Sequence, residues 1–338
     1  MKLSGTKKAV GLEIDTGIAR AVEVVGHPER PKLINMAGVE LNPGAVEEGM
    51  IVEPKEVGEA LLELWSSGEI KNRQVLLGVA NQAVLVRYAT IPKVPPDKID
   101  NVIRFQAQES LPIPLESVVM DYMVIGEIEE DGKTVIEVLL VAARRDMLDG
   151  FLEALSIARL EPVDIDVSTL ALLHTLPEKA QDRTVAIVNV ANGLSNILVS
   201  DQNRPRMARL VSFKLKDLAD ELKIGLEDVL NDQNYSSPEA LKIYDQWTAG
   251  VSNETRSSLT YYQNQSNASE LEAIILNGRG ARLRGISDKL EQALDVPVRV
   301  VNPFSAFANA DNSKLGSGID AIEYAICAGL ARRGLEGS

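Results

Sequence analysis

The chain has 338 residues, enough for two domains or one elaborated α/β domain, and its 45% apolar and 25% charged residues, with 24 Gly and 15 Pro, describe a folded chain and exclude a disordered or collagen-like one. Asp and Glu number 49 against 35 Lys and Arg, so the net charge of −14 repels phosphate backbones and argues against nucleic acid as a partner. One cysteine, Cys327, excludes an intramolecular disulfide, and two histidines, His27 and His174, exclude a histidine-built metal site, a composition that suits the cytosol.

The basic start MKLSGTKK runs into charged GLEIDTG and not into an apolar signal core, and no run approaches about 20 apolar residues, so neither export nor a membrane span is expected. Its lysines read as a solvated tail. KKAVGLEIDTGIARAVEVVG then predicts strand, tight turn at Asp15-Thr16-Gly17, and strand. About 176 positions later the same grammar returns in TVAIVNVANGLSNILVSD, aligning Asn189 with Glu13, Ala191 with Asp15, Gly193 with Gly17 and Leu194 with Ile18. That period is too long for a solenoid and predicts two similar halves facing each other across a cleft.

Between the two hairpins, Val57 to Trp65 has a helical pattern and Arg73 to Tyr88 is strand-rich. Pro95-Pro96 open a helix with Ile99, Val102, Ile103 and Ala107 on one side, and Pro112 and Pro114 close it. Strands Tyr122 to Gly126 and Val135 to Ala143, joined at Glu130-Asp131-Gly132, precede a helix bearing Leu148, Phe151, Leu152 and Leu155. Residues 82–160 therefore read as a βαββα insert. After the second hairpin, Lys216 to Leu230 and Pro238 to Asp245 read as helices, and Asn231 to Pro238 and Gln246 to Asn253 as loops. A helix from Glu254 to Tyr262, strand Leu271 to Asn277, a glycine turn, a helix with Leu283, Ile286, Leu290 and Leu294, strand Val298 to Val301 and a last helix from Ile319 to Leu330 complete an alternating α/β chain.

Small, glycine-containing turns let backbone N–H groups approach an anion, so two such turns facing across a cleft are candidates to grip one polyphosphate. A third, ILNGRGARLRGISDKL, leaves a strand and opens a helix, and is a candidate to hold a sugar or base. This ordered trio resembles the phosphate and adenosine motifs of the actin-like superfamily. More closely, GLEIDTGIARAVEV, IPKVPPDKIDNVIRFQAQESLPIPLESVVMDY, VLLVAARRDMLDGFLEALSIARLEPVDIDV, IILNGRGARLRGISDKLEQALDVPVRVVNPF and AICAGLARRGLE resemble the type IV pilus assembly protein PilM family over nearly the whole chain.

The resemblance implies an actin-like, ribonuclease H-like duplicated α/β fold with two facing halves and an inserted subdomain of the FtsA/PilM type. The implied subdomains are 1–81 with 161–182, the insert 82–160, 183–205 with 270–338, and 206–269. It further implies ATP with Mg²⁺ in the central cleft and, as partner, the cytoplasmic N-terminal peptide of a PilN-like bitopic membrane protein beside the insert. The nucleotide positions carried over are Glu13, Asp15, Thr16, Gly17 and Arg20; Asn189, Ala191, Asn192 and Gly193; and Asn277, Gly278, Arg279, Gly280 and Leu283. Four positions depart from the family pattern: Asp15 and Ala191 replace glycines, Asn189 replaces an aspartate, and Arg279 interrupts consecutive glycines.

A carboxylate about 4 Å from a phosphate charge costs roughly 4 kcal/mol at an effective dielectric of 20, and Asn189 is a poorer cation ligand than aspartate. Weak Mg-ATP binding and negligible turnover are therefore expected, and Asp15 has an alternative role as a cap of its own turn. For the partner peptide, Val102, Ile103, Phe105, Gln106 and Glu109 are the candidates, together with the adjoining strand; Val102 and Ile103 at helical spacing read more readily as core, and Phe105 and Glu109 fall off that stripe. Trp65, Trp247 and Cys327 read as packing residues, His174 as near a helix end, and Arg204, Arg206 and Arg209 as a solvated hairpin edge. The function expected is a scaffold of pilus assembly, or of a related secretion machine, that links the PilN-like membrane protein to pilus motor components. The alternatives are an active ATPase whose nucleotide state switches partner binding, and a scaffold of the cell-division or type II secretion kind.

Overall fold

The computed structural model describes residues 7–110, 113–130, 132–265, 267–309 and 320–336, without the side chains of Glu109 and Ser110. In chain order come β1 (Lys8–Asp15), β2 (Ile18–His27), β3 (Arg30–Glu40), the short pair β4 (Val46–Glu47) and β5 (Met50–Ile51), α1 (Pro54–Ser67) and β6 (Gln74–Val79). Then follow β7 (Val84–Pro92), α2 (Pro96–Ser110), β8 (Val118–Glu130), β9 (Lys133–Arg144) and α3 (Arg145–Ile157). The rest comprises β10 (Glu161–Val167), α4 (Ser168–Ala171), α5 (Glu178–Gln181), β11 (Thr184–Asn189), β12 (Ser195–Asp201), β13 (Arg204–Val211), α6 (Leu215–Leu222), α7 (Pro238–Gln263), β14 (Ala273–Asn277), α8 (Ile286–Leu294), β15 (Val298–Val300) and α9 (Ala325–Glu336). Ile319 and Pro112, expected to begin the last helix and to close α2, lie outside the described residues, as does Asp131.

These elements pack into two units, one of Met1–Asn81 with Glu153–Ser338, the other of Gln82–Leu152. The larger unit contains one plan built twice. Its sheets run β10-β6-β1-β2-β3 and β13-β12-β11-β14-β15. In each, three strands meander antiparallel and two more join parallel beyond the first, β6 beside β1 and β14 beside β11. The hairpins differ in detail: Asp15 pairs with Ile18 across a two-residue turn, whereas Asn189 pairs with Asn196 and leaves six residues between.

Several expected boundaries move, each for a packing reason. The end of the insert falls inside α3, because the helix's last turn packs elsewhere: a Cβ on Gly58 of α1 would lie 2.6 Å from that of Ile157. The break expected at 205/206 would cut β13 in two. The C-terminal α9, grouped above with the second half, packs on the first sheet, where Tyr324, Cys327, Ala328 and Ala331 share a core with Ala9, Val22 and Val24.

The loop expected over Gln246–Asn253 is instead the middle of the 26-residue α7. Its buried face mixes Tyr244, Trp247 and Val251 with Thr248, Ser252 and Ser258, so the apolar period is diluted. Those hydroxyls bond within the helix, Thr248 to the Tyr244 carbonyl at 2.8 Å, Ser252 to Thr248 at 2.9 Å and Ser258 to Glu254 at 2.9 Å, which makes their burial tolerable. Conversely, the helix expected to Leu230 stops at Leu222, where Lys223 turns left-handed at φ 57°, and two 3-10 turns over 226–230 and 232–235 follow.

In the smaller unit the sheet order is β7-β9-β8, and α2 covers one face. Ile103 and Ala107 are the helix's buried residues, meeting Ile91, Ile136, Val138 and Leu140 at one end and Val118 and Ala142 at the other.

Strand β1 is buried along nearly its whole length because α9 lies directly against it. A Cβ on Gly11 would sit 2.2 Å from the Cys327 carbonyl oxygen and 2.7 Å from the Ala331 nitrogen. Both obstacles are backbone, which cannot swing aside. Gly11→Ala is therefore expected to destabilise the chain by about 3 kcal/mol, measured by urea unfolding.

Candidate functional site

The two hairpin turns meet head-on. The Asp15 carboxylate accepts hydrogen bonds from the Thr16 amide at 2.7 Å and, across to the other half, from the amides of Asn192 at 3.0 Å and Gly193 at 3.1 Å. The Asn192 side chain donates back to the Thr16 carbonyl at 3.0 Å, and the Ala191 amide is taken by the Ser195 hydroxyl at 3.1 Å. The amides of Ala191, Asn192 and Gly193 thus all have partners within the chain. Asp15 does cap its own turn, and it also joins the halves.

Behind this contact lies a buried charge cluster. Arg20 stands opposite Glu13 across the β1–β2 ladder and reaches it at 3.6 Å, while its other nitrogen meets Glu323 at 3.0 Å. Glu323 also pairs with Arg282, which meets Asp320 at 3.2 Å. One guanidinium therefore faces Glu13, Asp15 and Glu323 together, and these carboxylates raise its pKa against the effect of burial. Burial disfavours ionising Glu323, but Arg20, Arg282 and Arg279 outweigh it and hold that carboxyl low. Among the described residues Glu13 has no second cation. Burial lifts it to about 7 against the pull of Arg20, with Asp15 adding to the rise, and burial likewise raises Asp15 itself. Burial and the neighbouring Glu13 hold the Cys327 thiol well above its usual range, so it stays protonated, donating to the Arg20 carbonyl at 3.2 Å.

Beyond the meeting point opens a cleft of about 950 Å³. Thr16 and Gly17 line it from the first half, with Glu40, Glu47 and Glu48; Lys214, Lys216, Asp217, Asp220, Glu227, Arg279 and Arg282 line it from the second, and Asp320 and Glu323 complete the wall. Lys214 pairs with Glu48 across the opening, and Lys216 with Asp220. Eight carboxylates therefore face four cations.

Of the residues carried over for nucleotide, Thr16, Gly17 and Arg279 line this cleft. The others lie behind it or in the core. Glu13 and Arg20 belong to the buried cluster, and Asp15, Ala191, Asn192 and Gly193 to the contact between turns. Asn189 and Asn277 end β11 and β14 and are buried side by side in register. The third turn packs on the second: a Cβ on Gly280 would lie 2.2 Å from a Val190 methyl, and Gly278, at φ 83°, donates to the Ile322 carbonyl. Arg279 reaches the Glu227 carbonyl at 3.2 Å, and Leu283 is buried among Val190, Leu276 and Ile286 in the second half's core. Among the described residues no group of His, Cys, Asp or Glu is arranged to hold a metal ion.

The smaller unit divides the expected partner residues. Ile103 is core, Val102 packs partly against it, and Gln106 is half-buried, whereas Phe105 is 63% exposed on the outer face of α2; the Glu109 side chain lies outside the described residues. A further apolar surface lies along β8. Along β8, Met120 and Tyr122 turn toward α2, so by strand alternation Val119 and Met123, each 45% exposed, turn the other way. β8 is also an outer strand of its sheet, with β9 on one side only. The signal for it in the sequence, the run VVMDYMV, was masked by having apolar residues on both faces.

Twin five-stranded sheets of one plan, meeting through their first hairpin turns at the floor of a cleft, define the actin-like class. Solved structures agree on the fold: the ethanolamine utilization protein EutJ of Carboxydothermus hydrogenoformans is 14% identical with TM-score 0.57 over 96% of this chain and 89% of its own. MreB5 of Spiroplasma citri, solved bound to ADP, is 9% identical with TM-score 0.54 over 98% and 99%. The family model of the type IV pilus assembly protein PilM matches residues 11–335, and the chain belongs to that family. A structure of the PilM–PilN type IV pilus biogenesis complex is similar to it at 27% identity and TM-score 0.82, covering 97% of this chain and 98% of the other.

Actin-like relatives in general imply a nucleotide with Mg²⁺ at such a cleft. The residues present here do not fit one. The amides of Ala191, Asn192 and Gly193 are taken by Ser195 and Asp15, Asn189 is neutral and packed against Gly278, and carboxylates outnumber cations around the cleft two to one. The sequence predicted repulsion by Asp15 at a distance; the geometry has the carboxylate seated on the amides themselves.

The raised Glu13 carboxyl sets a pH dependence. Its protonated form stabilises the fold fully below about pH 4.5, and that contribution is lost as the pH rises through about 7. Glu13→Gln stays neutral throughout among Arg20, Asp15, Glu323 and Cys327. Relative to the unaltered chain, the variant is expected to gain roughly 3 kcal/mol of stability between pH 4.5 and pH 8, read by urea unfolding at both; a pH-independent difference counts against it.

Proposed function

We propose that this chain is a scaffold of type IV pilus assembly that holds the cytoplasmic N-terminal peptide of a PilN-like membrane protein, and that its cleft does not turn over ATP. The observation that carries the reading is the likeness to the PilM–PilN complex over almost the full length of both chains. Among the described residues no helix is long and apolar enough to cross a membrane, so a bitopic partner would be what holds the protein at the inner membrane, on the cytoplasmic side. The peptide site is assigned to the smaller unit, on the outer face of α2 at Phe105 and along the outer edge of β8. An edge strand offers main-chain hydrogen bonds to an extended peptide, and its alternating Val119 and Met123 offer apolar contacts.

The occupied amides and the acidic lining support the second half of the reading, since a polyphosphate would find the amides of Asn192 and Gly193 already taken and no net positive charge around it.

Two titrations test the reading. The N-terminal peptide of the cognate PilN-like protein should bind the full chain in calorimetry, and Phe105→Ala should weaken it about tenfold without shifting the melting temperature, because Phe105 is exposed. Unchanged affinity in Phe105→Ala and in Met123→Asp would remove the site from this unit. In parallel, Mg-ATP should give no saturable heat with the unaltered chain; a saturable isotherm, or phosphate release that scales with enzyme, would return the cleft to the ATPases.

A further inference from the structure

We propose that the amides of Asn192 and Gly193 form an oxyanion cradle whose resident occupant is this chain's own Asp15 carboxylate, and that with Asp15 removed the cradle accepts inorganic phosphate. The inference stands apart from the peptide partner and concerns the floor of the cleft alone.

The geometry is that of a bound anion. Each Asp15 oxygen takes an amide from the opposite half, at 3.0 and 3.1 Å, and one takes the Thr16 amide as well at 2.7 Å. A carboxylate acting only as a turn cap would need the Thr16 amide and nothing from a segment more than 170 residues away. Successive backbone N–H groups converging on one point make an anion site whatever the source of the anion. Here the source is tethered, so its local concentration is fixed by the chain and a free anion competes poorly.

The surroundings are shaped to the occupant. A Cβ on Gly193 would lie 2.6 Å from the Thr16 hydroxyl and 2.7 Å from the Asp15 carboxylate, so only glycine admits the carboxylate this closely. Asn192 closes the other side by its bond to the Thr16 carbonyl, and its own buried side-chain oxygen has no partner among the described residues. Arg20 lies near enough to offset part of the buried negative charge. The contact between the turns is then a property of the chain and needs no nucleotide to bridge it.

The test is chemical rescue. Thermal unfolding of the full chain and of Asp15→Gly is followed with increasing millimolar inorganic phosphate, with chloride at matched ionic strength as the control. Asp15→Gly should melt roughly 3–6 °C lower, and phosphate should restore at least half of that loss while moving the unaltered chain no more than chloride does. Equal melting of variant and parent, or an equal phosphate response in both, overturns the proposal. Should Asp15→Gly fail to fold, hydrogen exchange decides in Asp15→Asn, whose one accepting oxygen can replace only one of the two carboxylate oxygens and so leaves either the Asn192 or the Gly193 amide facing an NH2 group. The Asn192 or Gly193 amide should then exchange at least about tenfold faster than in the parent, and unchanged exchange at both overturns it.

Discussion

The close approach of β1 to α9 is the constraint on which the rest depends. Gly11 lets the strand's backbone touch that of Cys327 and Ala331, and from this fixed line Glu13 and Asp15 project at the strand's far end. Because β1 is also the strand from which the antiparallel and parallel parts of its sheet diverge, its position sets the hairpin turn that meets the second half. A side chain at Gly11 would displace the turn together with the strand.

Charge is distributed around that line in a graded way. Arg20 neutralises one carboxylate well, and Glu323, helped by Arg282, is the one that stays firmly ionised. Glu13 and Asp15 share what remains and are pushed toward protonation by burial. Such a cluster is costly to assemble, since removing charged groups from water is repaid only where partners are complete. Its persistence beneath a cleft that is itself acidic marks the floor as built around negative charge already in the chain.

Much of this was legible in the sequence. The repeated hairpin, the βαββα insert and the alternation of strands and helices follow from β-branched runs, turn residues and apolar spacing, and the twin sheets agree with them. The length of α7 was not, because Thr248, Ser252 and Ser258 bury hydroxyls that satisfy themselves within the helix and erase its apolar period. Nor was the course of α9, since an amphipathic helix at the end of a chain carries no mark of which sheet it will cover. The identity of the residues around the turns was readable, but their partners were not: Asp15 could be seen as an obstacle to phosphate, whereas its bonds to Asn192 and Gly193 depend on a contact across more than 170 residues. Phe105 and Ile103, two places apart on one helix, parted as the spacing predicted, one outside and one in the core.

The seat of Asp15 on the opposite turn has a consequence for how such a protein changes over generations. Aspartate and glycine codons differ by a single base, and so do those of asparagine and aspartate, the pair at issue at position 189. A single base change at Asp15 is therefore enough to take the carboxylate off the amides of Asn192 and Gly193 and to leave the two halves without that bridge.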